Sequence, residues 1–145
     1  MKYYKLLSSL IFFIIPFEKS IAQNPENWTS KDLTEPSSLA ALIKADKNIP
    51  VIFSVGPSAV IPNSIFVGMV KDEKNLEKFK IELSKLPLRT NILIYCGCCP
   101  FDHCPDVRPA IDLLQKMNFT NYHLLNIPHN IKSDWIDKGY PTVKQ

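Results

Sequence analysis

Four cysteines, Cys96, Cys98, Cys99 and Cys104, fall within nine residues of a 145-residue chain that contains no others. Disulfides that staple a fold join distant points, whereas any bridge inside this stretch closes a very short loop and removes little entropy from the unfolded chain. The thiols therefore read as local chemistry rather than scaffolding. Free cysteine packs singly as a small hydrophobe, which does not describe a cluster interleaved with Pro100, Asp102, His103 and Pro105. A helix beginning just beyond the cluster, together with Arg108, favours thiolate over thiol, and the thiolate is the reactive form.

Two chemistries other than covalent sulfur transfer suit the same residues. Cys96 and Cys99 form a C-x-x-C pair able to close a reversible disulfide, Cys99 with Cys104 would serve as well, and four cysteines allow three full pairings. A soft cation, Cu(I) or Zn(II), would take Cys96, Cys98, Cys99 and Cys104 with His103. Adjacent Cys98 and Cys99 are poor zinc spacing and no second cluster exists, so neither a metal nor any other cofactor is expected. Asp102 and Asp106 are candidates to cap the following helix or orient His103. His129 is a candidate to line the pocket, and His123, within a strand, reads as a core or rim histidine.

These residues need elements to hold them. Residues 91–95 form a continuous apolar run, the signature of a central strand buried on both faces, and it leads straight into Cys96. Residues 51–55, closed by Gly56-Pro57, residues 65–70 and residues 122–127 read as further strands. Helices follow from other periods: Leu39, Leu42 and Ile43 behind a Ser37 or Ser38 cap; Leu76, Phe79, Leu83 and Leu86 up to Pro87; and Ala110, Ile111, Leu113, Leu114 and Met117 closed by a left-handed Asn118. A short helical turn is expected around residues 134–136. Strands alternating with helices imply right-handed crossovers and a mostly parallel α/β sheet of about four to five strands, covered on both faces. Ligands of such sheets sit outside the carboxyl ends of the strands, where the cysteine segment starts.

With 46% hydrophobic and 21% charged residues the chain has the content for one packed domain. Lys2 and Lys5 precede a 12-residue, mostly apolar stretch at 6–17, and Ser20-Ile21-Ala22 supplies the small residues of a cleavage site. Residues 1–22 thus read as a signal peptide, residues 23–35 as an irregular lead-in that folds back through Trp28, and residues 36–145 as the domain. The stretch is short of the roughly 20 residues that span a bilayer. Export to the periplasm or secretion, with no stable membrane span after cleavage, is the expectation. Removing the signal leaves a net charge of about +1 from the +3 of the whole chain, no footprint for nucleic acid.

Residues 92–96, the loop behind them and the run from Arg108-Pro109-Ala110 to Phe119 resemble the rhodanese-like sulfurtransferase domain. Residues 61–68 are similar to that family's Ile-Pro-Gly-Ala segment, and Trp135 with Gly139-Tyr140-Pro141 to its closing segment. The resemblance implies a rhodanese-like α/β fold, Cys96 as the sulfur-accepting nucleophile, and Arg108 as the residue ending the active loop. It also implies covalent catalysis through a persulfide, a small sulfur donor and a thiol or other thiophilic acceptor as partners. The loop departs from the pattern: twelve steps separate Cys96 from Arg108, and Pro100 and Pro105 bring no N–H to a sulfur cradle. Cys98, Cys99, Cys104 and His103 then modulate or resolve the chemistry. The alternatives are an exported redox or soft-metal protein, with a redox partner protein, or an inactive rhodanese-like binding module.

Overall fold

The computed structural model describes residues 28–143; the expected signal peptide and the start of the lead-in lie outside the described residues. Five strands, β1 (Leu33–Thr34), β2 (Val51–Ser54), β3 (Ile65–Phe66), β4 (Ile92–Tyr95) and β5 (Tyr122–Leu125), form one sheet in the order β1-β5-β4-β2-β3. Every pairing is parallel. Helices α1 (Pro36–Ala45), α2 (Glu73–Ser84) and α3 (Val107–Lys116) connect them. No helix among the described residues is long and apolar enough to cross a membrane.

Side chains alternate across a strand, and β4 divides its four residues between two cores. Ile92 and Ile94 join Phe53, Phe79, Leu83, Ala110, Ile111 and Leu114 beneath α2 and α3, while Leu93 and Tyr95 join Leu39, Ile52, Leu125 and Trp135 beneath α1. All four β4 residues are buried, as the unbroken apolar run predicts. Phe53 and Phe79 meet edge to face at 5.0 Å between ring centres and bind α2 to β2.

Three expectations need correction. The lead-in is not irregular throughout, because Leu33–Thr34 pairs with Leu124 and Leu125 as an edge strand; two residues are too few to show a period in the sequence. Helix α1 starts on Pro36, whose fixed φ suits the first helical position, so Ser37 and Ser38 lie inside the first turn and do not cap it. The strand expected at 65–70 lasts two residues, after which the chain leaves the ladder while Val67 and Val70 still donate to the carbonyls of Ser54 and Val55. Asn118 does take the left-handed conformation expected after α3, with φ 63°. The helical turn at the carboxyl end is a π-turn over Lys132–Ile136 that buries Trp135 completely.

Tyr95 fixes the segment opposite β4. Its buried hydroxyl accepts N–H bonds from Val60 at 2.9 Å and Ile61 at 3.2 Å and lies 3.2 Å from the Ser64 hydroxyl. Tyr95→Phe deprives two backbone donors of their acceptor, and leaving a buried group unsatisfied costs about 1–3 kcal/mol. We expect the chemical-denaturation midpoint to fall accordingly with the denaturant slope unchanged; an unaltered midpoint would mean that water takes over both donors.

A four-thiol loop at the end of the central strand

Cys96 directly follows β4, whose neighbours β2 and β5 hold it in the middle of the sheet. The ladder extends one step further, with the Val55 N–H donating to the Tyr95 carbonyl at 2.9 Å. This brings the exits of β2 and β4 into contact at Gly56. A Cβ on Gly56 would overlap the Cys96 carbonyl oxygen and lie 2.8 Å from its Sγ, so the approach is open to glycine alone. Gly97 then turns the chain with φ +86°, a conformation other residues adopt only with strain, and its carbonyl accepts the Ile131 N–H at 2.8 Å.

Beyond this turn the loop is tied down at intervals. Phe101–His103 forms a single 3-10 turn; the Phe101 N–H donates to the Ile127 carbonyl at 3.1 Å, and the Phe101 ring meets Trp28 edge on at 6.5 Å. Trp28 thus folds back as the sequence suggests. The Val107 N–H donates to the Cys104 carbonyl at 3.4 Å as α3 begins.

The sulfurs converge. All four Sγ atoms lie within 4.8 Å of one another. Cys96 and Cys98 are separated by 3.3 Å, as are Cys98 and Cys99, and all four are free thiols. Cys96 and Cys104 are buried, Cys99 is half-buried and Cys98 is exposed, so the group opens to solvent on the Cys98 side. Cys104, rather than Cys96, receives the backbone N–H groups of Asp106 and Val107 where α3 starts.

Electrostatics separate the buried pair. The Cys96 S–H donates to Cys104 and its sulfur is buried, both of which push its pKa far up. Cys104 is the other half of that bond: accepting the Cys96 hydrogen outweighs its own burial and, with the N–H groups of Asp106 and Val107 and the Cys99 thiol, lowers it to about 6. Cys99 is pushed up to about 12, first by burial and then by donating to its neighbours.

Asp106 occupies the N-cap position of α3 but makes no capping bond. Its carboxylate, 1% exposed, accepts the Lys71 N–H at 2.9 Å and sets its other oxygen 3.8 Å from the Cys96 sulfur, so it links the turn before α2 to the thiol loop. The sequence offers Asp106 as a cap of α3 or an orienter of His103; only its burial, invisible in a one-dimensional pattern, shows the other role. The same reasoning took Gly56 merely as the end of a strand.

An open hollow of about 490 Å³ adjoins the loop and is lined by Asp102, His103, Cys104, Arg108 and Asp112 with two prolines. Arg108 therefore shares this hollow with Cys104. His103 lies 3.6 Å from Asp102 with its side chain 78% exposed and stands outside the group of converging sulfurs. His129 pairs with Asp134 at 3.0 Å. His123 is half-buried on β5, in register with Leu93.

No protein-family model matches the sequence, and no curated protein is similar to it at a significant level. Among solved structures, the fold is similar to the solution NMR structure of the rhodanese-like domain of an Anabaena sp. protein, with 16% identity, a TM-score of 0.54, and 79% of this chain and 80% of that one covered. The fold is rhodanese-like. The alternation of strands and helices expected from the sequence stands, and the sheet of five parallel strands, β1 included, falls within the expected four to five, with helices on both faces and a cysteine-rich loop leaving the central strand.

Within this rhodanese-like fold the close packing at Gly56 governs the loop. In Gly56→Ala the added carbon meets backbone, which cannot swing aside, and overpacking of this kind typically costs about 1–3 kcal/mol. We expect lowered stability in denaturant together with altered alkylation rates of Cys96 and Cys104. A variant with wild-type stability and wild-type thiol reactivity would show that the two strand exits are not in contact.

Proposed function

We propose that the protein carries sulfane sulfur as a persulfide on Cys96, acting as a rhodanese-like sulfurtransferase between a small sulfur donor and a thiol or other thiophilic acceptor. One observation carries this reading: Cys96 alone of the four cysteines has its backbone held at the end of the central strand, with its sulfur beside three others. A nucleophile needs a fixed position, and strand ends are more rigid than loops. The basic and apolar start of the sequence supports export, hence work in the periplasm or outside the cell.

The chemistry balances within the thiol group. The Cys96 thiol is the donor to Cys104 and holds its proton the more tightly of the two, so the Cys96 thiolate forms only against this bias, by passing the proton to Cys104 as the donor binds. Once formed, the Cys96 thiolate attacks the outer sulfur of a donor R–S–S⁻. A new S–S bond forms to Cys96, the donor's S–S bond breaks, and R–S⁻ leaves with the electron pair. An acceptor thiolate then attacks the outer sulfur of the persulfide, takes it and restores the Cys96 thiolate, with no net oxidation. Arg108 borders the neighbouring hollow, a suitable place for an anionic donor or leaving group.

Labelling with a sulfane-sulfur donor, a small-molecule persulfide R–S–S⁻, followed by peptide mass mapping tests this. Wild type should carry one extra sulfur atom on Cys96. Cys96→Ser should lose both that mass and turnover to cyanide, whereas Cys104→Ser should retain part of the uptake. Sulfur on Cys98, Cys99 or Cys104 in wild type, with Cys96→Ser still active, would overturn the assignment.

A further inference from the structure

We infer that the four thiols of this loop form a binding site for a single thiophilic cation, zinc(II) by donor number, with Cys96, Cys98, Cys99 and Cys104 as its ligands. The inference does not rest on sulfur transfer. A zinc ion held tetrahedrally by thiolates at about 2.3 Å sets its sulfurs about 3.8 Å apart. The four Sγ atoms already lie within 4.8 Å of one another, with two separations of 3.3 Å. The closest pairs must part by about half an ångström and the widest close by no more than about one to make a coordination shell.

Other uses of four close thiols fit less well. A disulfide normally needs α-carbons about 4.4–6.8 Å apart, which excludes adjacent Cys98 and Cys99, held near 3.8 Å by the trans peptide between them, and a bridge from Cys99 to Cys96 or Cys104 leaves two of the converging thiols unused. The adjacency that makes poor spacing in a sequence pattern is no obstacle here, since both sulfurs turn to the same side. A multinuclear iron–sulfur cluster needs its ligands spread around an inorganic core, for which this spacing leaves no room.

The surroundings also suit an ion. Two ligands form a buried floor, and exposed Cys98 stands at the mouth, so an ion can enter from solvent and be closed over by one residue. Backbone N–H groups of Cys98, Asp106 and Val107 face the Cys96 and Cys104 sulfurs, the outer shell that orients thiolate ligands and spreads their charge. Gly56 leaves the space that the Cys96 sulfur occupies. Each thiol releases its proton to solvent as it binds, and no electron is transferred. An ion held by all four sulfurs leaves no thiolate to accept sulfur, so metal-loaded and persulfide-bearing states exclude each other.

The test uses the intact chain, reduced, freed of reductant and titrated anaerobically with cobalt(II) and then zinc(II). One equivalent of cobalt should produce thiolate-to-cobalt charge-transfer bands and the intense visible bands of a tetrahedral site, and zinc should displace it at one ion per chain by elemental analysis. Cys98→Ser removes a ligand at an exposed position, so the fold persists, as circular dichroism checks; its zinc affinity in chelator competition should fall at least about tenfold. His103→Ala should bind as wild type. The inference is overturned by absence of tetrahedral bands, by one ion per two chains, by equal affinity in Cys98→Ser, or by loss of binding in His103→Ala.

Discussion

Strand β2 and strand β4 leave the sheet side by side with no side chain between them, and the thiol loop follows from that contact. At Gly56 the backbone of one strand exit rests on the carbonyl and sulfur of Cys96 at the other. Any larger residue would push the β4 exit outward and carry the first thiol away from its neighbours. The ladder bond from Val55 to Tyr95 pulls the exits together, and the Ile131 donor to Gly97 catches the chain as it turns. A parallel sheet gathers its strand ends on one edge, and here that edge is packed closely enough to act as the floor of a thiol pocket.

Charge is arranged around this floor with some economy. Asp106 buries a carboxylate 3.8 Å from a thiol, which would be unfavourable beside a thiolate, yet the same group satisfies the Lys71 N–H and anchors the turn into α2. The start of α3 meanwhile turns its N–H groups to Cys104. Negative charge is thus welcomed at one buried sulfur and resisted at the other, and the proton between them is held by environment rather than by the intrinsic acidity of either thiol. Anything that removes this proton, whether a donor sulfur or a cation, must satisfy both sides of the arrangement.

Much of the fold was legible in the residues and rather less of the site. The run Ile92–Tyr95 and the three-and-four spacing of Leu76, Phe79 and Leu83 carry enough repeats to declare a strand and a helix, and both stand where expected. Strands β1 and β3 have two residues each, and only their partners in the sheet define them. The importance of the cysteines was evident from their crowding, but their convergence was not, because the loop doubles back through turns fixed by distant carbonyls such as that of Ile127. His103 has the right type and spacing for a ligand and yet points to solvent, since the 3-10 turn that carries it faces outward. Asp106 had the ordinary signature of a helix cap; tertiary packing gave its carboxylate other partners.

The pairing of β1 with β5 also bears on the order in which the molecule can assemble. Asn126, just past β5, donates to the Glu35 carboxylate across 91 positions of sequence, beside the Leu33–Leu124 register. Contacts this remote incur a large loop-closure entropy before they give any return, so they close late and slow the overall rate. A chain emerging amino-terminus first can form α1 and α2 early, but its sheet edge waits until β5 has appeared. Trp28, which touches the cysteine loop through Phe101, waits with it. Until β5 pairs with β1 the thiols accordingly pass through an interval in which their loop is present while Trp28 is not yet docked on it, the period in which adventitious oxidation competes with folding.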